Sequence, residues 1–297
     1  MKYVLTGSVG HISKPLAQKL IAVGHEVTII SSKETNKDAI EKLGAKAAIG
    51  SVEDVSFLKK AFAGADAVYT MVPPFFGAAN WKEWIGQIGK KYAEAIKSTG
   101  VKHVVNLSSI GADLPDGCGP VSGLYKAEQA LNTLADVNIK HLRPSYFFDN
   151  LLANVGLIKN MGIMGSNFGG SDYKLVLTDT NDIADVAFEE LSALQFKGHS
   201  VRYIASDERS TDEIAKLIGS AIGNPTLPWV VFTNEQAKEG MLQAGLPEEV
   251  VNNYTEMGAA LQSGIMQEDY WKSRPEKLGK VKLGDFVRKF AAVYNAN

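Results

Sequence analysis

The chain is short of several things, and each shortage closes off a class of protein. It has one cysteine, Cys118, so an intrachain disulfide is impossible and a cytoplasmic home is expected. No run of some 18 apolar residues occurs, so no membrane span is expected. The opening residues already read as a strand, which argues against a cleaved leader. Five histidines, His11, His25, His103, His141 and His199, show no ligand spacing with one another or with Cys118, so no metal site is expected. Net charge is only −2, and composition gives no reason to expect nucleic acid as a partner.

What is present is an ordinary globular balance, 45% hydrophobic and 22% charged, in a length that suggests about two domains. The chain is organised around its first fifteen residues. Tyr3-Val4-Leu5 reads as a buried strand, and an amphipathic helix runs from Ile12 through Leu16 and Leu20 to a stop at Gly24. Between them lie Gly7, Ser8, Val9, Gly10, His11 and Ile12. A strand, a glycine turn and a helix N-terminus present backbone N–H groups and a positive dipole end to an anion, and a nucleotide pyrophosphate suits them. The alternative is a tight structural turn without ligand. Ser13 stands where a longer fingerprint has a third glycine.

Short β-branched runs then alternate with helical patterns. Strands are predicted at 26–31, 45–50, 66–72, 101–107 and 139–142, and helices at 34–44, 54–62, 81–98 and 122–135. Such alternation means a doubly wound parallel α/β sheet, with ligands at the carboxyl ends of its strands. Beyond residue 145 the rhythm breaks. Helices are predicted at 147–159, 180–194, 211–222, 234–244, 247–262 and 283–294, with Pro247 as the first residue of its helix. Strands are predicted at 174–177, 200–205 and 230–233, and a glycine-rich loop at 162–171. Residues 1–145 thus form a nucleotide-binding domain and 146–297 a smaller helix-rich lobe.

The end of the second strand decides the cofactor. It reads Ser31-Ser32-Lys33 with no carboxylate for a ribose hydroxyl, and two hydroxyls and a cation suit the 2′-phosphate of NADP(H). A solvated polar loop is the bland alternative. Ser51 and Val52, after the third strand, are expected to edge the adenine. Met71, Val72 and Pro73, leading into Pro74-Phe75-Phe76, form a wall of the groove, and Trp81 and Trp84 either reach that cleft or join the core. Ser108 ends the fifth strand where a hydroxyl meets a nicotinamide or a substrate carbonyl. In Ser122-Gly-Leu-Tyr125-Lys126, Lys126 is the candidate for a ribose contact or proton donor, with a solvated helix lysine as the alternative. Short-chain dehydrogenases place a tyrosine acid four residues before such a lysine, but Ser122 stands there, and Tyr125 points about 100° round the helix. Pro144, Tyr146 and Phe147 follow the sixth strand and flank the nicotinamide. Cys118 reads as an incidental exposed thiol on a flexible loop.

Several stretches together resemble the NmrA-like family, atypical members of the short-chain dehydrogenase/reductase superfamily. They are Thr6-Gly7-Ser8-Val9-Gly10, Asp66-Ala67-Val68-Tyr69, the run from Val101 to Ser109, and Lys126-Ala127-Glu128. Leu142-Arg143-Pro144 through Leu151, Thr178 through Ala187 and Arg274-Pro275 continue the match over nearly the whole chain. The resemblance implies a Rossmann domain with a small C-terminal substrate lobe, and residues around 173–205 returning to extend the sheet. It implies either an NADPH-dependent reductase of a quinone-like or azo acceptor, or a non-catalytic NADP(H) sensor that regulates a protein partner. Relatives resembling isoflavone reductases use a lysine near the position of Lys126. A sugar-nucleotide epimerase shares the fold but needs the tyrosine that Ser122 replaces.

Overall fold

The predicted strands pair in parallel, in the order that the alternation demands. In the computed structural model, which describes residues 1–296, the first half runs β1 (Lys2–Leu5), α1 (Ser13–Ala22), β2 (Glu26–Ser31), α2 (Lys37–Lys42), β3 (Lys46–Ile49), α3 (Val55–Phe62) and β4 (Ala67–Thr70). It continues through α4 (Trp81–Thr99), β5 (His103–Leu107), α5 (Pro120–Leu131) and β6 (Asn138–Pro144). The second half has β7 (Tyr146–Phe147), α6 (Val155–Met161), β8 (Met164–Ser166), β9 (Lys174–Thr178), α7 (Thr180–Ala193), β10 (His199–Ile204), β11 (Asp207–Ser210) and α8 (Thr211–Ala221). β12 (Trp229–Val231), α9 (Asn234–Gln243), α10 (Glu248–Gln262), α11 (Glu268–Lys272) and α12 (Leu283–Ala296) complete it.

The main sheet has seven strands in the order β10-β6-β5-β4-β1-β2-β3, all parallel. It is Rossmann-like, and its order reverses between β1 and β4. Alternate side chains of β1 serve opposite faces. Tyr3 and Leu5 pack with Leu16 and Leu20 of α1 and with Ile183 and Leu191 of α7. Val4 packs with Phe62 of α3 and with Ile88, Tyr92 and Ile96 of α4. Helix ends follow side-chain chemistry: Asp54 accepts the Ser56 and Phe57 N–H groups at the start of α3, and Gly100 closes α4 at φ 72°.

The second half departs from the prediction in four places. Residues 147–159 are not one helix. Tyr146 and Phe147 are extended and pair with Leu177 and Thr178 of β9, a 3-10 segment follows over Phe148–Asn154, and only α6 is α-helical. The glycine-rich stretch is not simply a loop, because it contains β8, which pairs in parallel with β12. A Cβ on Gly165 would stand 2.5 Å from the Val230 carbonyl, so this glycine permits close strand approach. The returning segment also divides: β10 joins the main sheet and α7 packs on its face, whereas β9 sits in a small sheet of order β11-β9-β7. Pro247, predicted as the first residue of its helix, is instead extended and lies one residue ahead of α10.

Candidate functional site

The chain turn after β1 lies at the carboxyl edge of the sheet, beside the point where strand order reverses. Gly7 has φ 90° and Ser8 has φ 54°, both in the left-handed region. A Cβ on Gly7 would fall 2.5 Å from the Ser13 Oγ and 3.0 Å from the Met71 Cγ, so the turn is packed from two sides. Ser13 replaces the third glycine without strain, because its buried hydroxyl donates to the Thr6 carbonyl at 2.9 Å. The Thr6 hydroxyl accepts the Met71 N–H at 2.7 Å and fixes the turn to the end of β4. No side chain caps the N-terminus of α1, and its first turn holds no acidic residue. Backbone N–H groups left without partners at such a helix start are donors for an anion.

The end of β2 is a hydroxyl and amide network. Ser31 is buried, and its Oγ receives the Ser8 hydroxyl at 3.0 Å and the Asn36 Nδ2 at 3.0 Å. The same Asn36 nitrogen lies 2.9 Å from the Ser8 Oγ. Ser32 and Lys33 are exposed, and Lys33 has no ion pair among the described residues. Sequence reasoning missed Asn36; its only signal was an amide a few residues beyond the strand. After β3, Ser51 is exposed and accepts the Glu53 N–H at 3.1 Å, while Val52 is half-buried. Glu53 accepts the Trp84 indole N–H at 2.7 Å, and Phe75 lies against Trp84 with ring centres 5.1 Å apart.

Farther along the same edge, Met71, Val72 and Pro73 leave β4, and the Tyr92 hydroxyl holds the Met71 carbonyl at 2.7 Å. Ser108 leaves β5; its N–H donates to the Leu142 carbonyl, but its buried hydroxyl has no partner. Pro144, Tyr146 and Phe147 leave β6, anchored by Arg143, whose guanidinium is clamped by Glu128 at 2.7 and 3.0 Å. Burial pushes the Tyr146 phenol well above its ordinary pKa, so it stays neutral. The mouth is aromatic. Phe76 meets Trp81 at 5.3 Å, and Trp81 meets Tyr254 of α10 at 5.5 Å, both edge-on. Phe75 and Phe76 are 45% and 47% exposed, large apolar groups left facing solvent. Trp81 is buried and so serves both core and rim.

Lys126 stands apart from this group. Its stem passes over Gly86 of α4, where a Cβ would lie 2.9 Å from the Lys126 Cβ, and its ammonium pairs with Glu83. With Tyr125 it lines a shallow groove on the outer faces of α4 and α5, shared with no residue of the glycine turn. Ser122 is buried, and its hydroxyl accepts the Cys118 N–H at 3.1 Å. Cys118 is buried rather than exposed, and burial pushes its thiol up to about 11. The Gly117 and Gly119 turns fold that segment under α10: a Cβ on Gly119 would collide with the Asn253 carbonyl.

Residues 7–150 match the family model described as NAD(P)H-binding. They are an NAD(P)H-binding domain. An NAD(P)H azoreductase of Xenophilus azovorans is 25% identical over 259 residues, spanning 85% of each chain. Two solved structures share the fold over nearly its whole length. A nucleoside-diphosphate-sugar epimerase of Staphylococcus aureus matches with TM-score 0.80 and 16% identity, over 97% of this chain and 100% of that one. An NADPH-dependent quinone oxidoreductase of Escherichia coli matches with TM-score 0.79 and 17% identity, over 97% and 98%. The chain is thus similar over most of its length to an NAD(P)H-binding reductase, in keeping with its resemblance to the NmrA-like short-chain reductases. No helix among the described residues is long and apolar enough to cross a membrane.

Proposed function

We propose that this protein is an NADPH-dependent reductase of a small planar acceptor, quinone-like or azo. The observation that carries the reading is the aromatic rim of Phe76, Trp81 and Tyr254 beside the cofactor crevice. There Phe76 is exposed and Tyr254 half-buried over the buried Trp81, and they offer a conjugated acceptor a stacking surface. The azoreductase and the quinone oxidoreductase, by their names, act on acceptors of that kind.

The residues present fit the cofactor. The uncapped N-terminus of α1 suits a pyrophosphate held over Gly7, Ser8, Val9, Gly10, His11 and Ile12, and the partnerless Ser108 hydroxyl suits a polar group at the end of β5. Ser31, Ser32 and Lys33, together with Asn36, would take the 2′-phosphate; the network holds no carboxylate to repel it. Ser51 and Val52 would edge the adenine. Met71, Val72 and Pro73 would line the groove, and Pro144, Tyr146 and Phe147 would back the nicotinamide. When bound, the cofactor supplies the hydride.

The protein's contribution is positioning and exclusion of water. Ser122 is committed to Cys118, and Lys126 could reach the cofactor only by leaving Glu83. A quinone or azo acceptor tolerates this, because its negative charge spreads over a conjugated frame and solvent can supply the proton. The test is NADPH oxidation followed by absorbance against quinones and azo dyes, with NADH in parallel. Turnover favouring NADPH supports the reductase. Tight NADPH binding without turnover on any acceptor favours an NADP(H) sensor with a protein partner.

A further inference from the structure

The glycine turn is tied to the far end of the chain by one aspartate. His11, in the turn, has its Nδ1 2.9 Å from an Asp149 carboxylate oxygen. The other oxygen of Asp149 receives the Lys289 ammonium of α12 at 2.5 Å. Asp149 itself is largely buried, on the 3-10 segment that follows β7. Beside it Phe148 stacks on Phe286 of α12, ring centres 5.4 Å apart, and both rings are buried. Burial would raise the Asp149 carboxyl, but Lys289 and His11 hold it below its ordinary value, so it is an anion between two donors.

A second bridge of the same design lies farther along α1. Asp185 of α7 accepts Lys19 at 2.7 Å and Lys280 at 3.1 Å. Both aspartates therefore join a nitrogen donor near the start of the chain, His11 or Lys19, to a lysine from its last twenty residues. Only Asp149 does so at the phosphate-binding turn, where no other carboxylate contacts the His11 ring among the described residues.

We propose that Asp149 is a positioning residue that couples cofactor binding to the seating of the C-terminal helix, through His11 on one side and Lys289 on the other. The inference rests on the pyrophosphate lying on the glycine turn. Held by Asp149, the His11 ring is oriented beside the α1 N-terminus, and Lys289 adds a cation from α12 to the same neighbourhood. An arriving pyrophosphate then draws on two donors that Asp149 already holds, and it tightens α12 as it binds. Coupling of this kind is reciprocal: what fastens α12 strengthens cofactor binding, and the cofactor fastens α12.

The experiment measures NADPH affinity by titration and amide hydrogen exchange over residues 283–296, with and without NADPH, in the full chain. In wild type, NADPH is expected to slow exchange in α12; a wild type that binds NADPH without that slowing overturns the proposal. Asp149→Asn is expected to weaken NADPH about fivefold or more and to abolish that slowing. Lys289→Met is expected to abolish the slowing while the chain stays folded, and it decides the matter if Asp149→Asn does not fold. Asp185→Asn, which cuts the distal bridge, is expected to leave NADPH affinity within twofold of wild type. The proposal is overturned if NADPH still slows α12 in Lys289→Met, or if Asp149→Asn binds NADPH as wild type does. A wild-type chain that binds no NADPH would instead overturn the cofactor reading on which the proposal rests.

Discussion

At the scale of single residues, the cofactor-binding edge is decided by which side chains are already committed. Ser31 and Asn36 hold each other, whereas Lys33 is exposed and has no ion pair among the described residues. Replacing Lys33 by alanine is therefore expected to weaken NADPH about tenfold, since one charge-assisted contact amounts to roughly 1.5–3 kcal/mol. NADH, which lacks the 2′-phosphate, should change less than twofold; equal losses in parallel titrations would refute the assignment. Lys126 presents the opposite case. It is spoken for by Glu83 on a helix face away from the turn, so Lys126→Ala should leave kcat within about twofold of wild type, exposed ion pairs contributing little. A loss of two orders of magnitude in steady-state kinetics would return Lys126 to the active site. The sequence made Lys126 conspicuous because only spacing was visible. Which face of α5 meets the sheet depends on Gly86 and Gly89 of α4, where Lys126 and Ala127 press against helix backbone without side chains between.

At the scale of elements, a polar thread crosses three neighbouring strands of the main sheet. Thr70 of β4 donates to the Asn106 Oδ1 of β5 at 2.9 Å, and the Asn106 amide lies 3.1 Å from the Nδ1 of His141 on β6. The Nε2 of His141 lies 3.0 Å from the Asn132 Oδ1. The ring accepts at one nitrogen and donates at the other, as only a neutral imidazole does. Burial, opposed by the Glu128 carboxylate and aided by Arg143, lowers its pKa from 6.5 to about 4. The unfolded chain therefore binds the proton first, and this contribution to stability is complete above pH 6.5 and lost as pH falls toward 4. The loss is on the order of 3 kcal/mol. Denaturant midpoints measured from pH 7 to pH 4 should fall more steeply for wild type than for His141→Gln; parallel curves would refute the mechanism. Elements were legible where local pattern and burial agreed. β2 occupies its predicted span, and Asp54 and Gly100 end their helices as expected. They were illegible where a distant strand dictates conformation: Tyr146 and Phe147 are extended because β9 pairs with them, thirty residues away in sequence.

At the scale of the whole molecule, the crevice closes against α10. Glu249 accepts the Trp81 N–H at 2.8 Å at the start of α4, and Lys82 pairs with both Asp116 and Glu256. The proposed site would thus be assembled from both halves, and its ligand should stabilise them together. At NADPH a hundred times its dissociation constant the gain is about 2.7 kcal/mol. That corresponds to a rise of roughly 4–5 °C in Tm for a chain of this size. NADH at the same concentration should give a smaller rise in a thermal-shift measurement; equal rises would argue against a 2′-phosphate pocket.

The place of β10 at the edge of the main sheet has a consequence for how the polypeptide can be cut. The matched domain ends at residue 150, yet β6 takes its outer hydrogen bonds from β10, and α7 covers the face beneath Tyr3 and Leu5. A fragment ending at 150 would expose a naked strand edge together with the apolar surface meant for Ile183, Ala187 and Leu191. Expressed alone it should clump, whereas a break in the exposed turn between α9 and α10 severs neither. The matched half is continuous in sequence but borrows its wall from the other half, and the gene cannot be divided at residue 150 without stripping that wall.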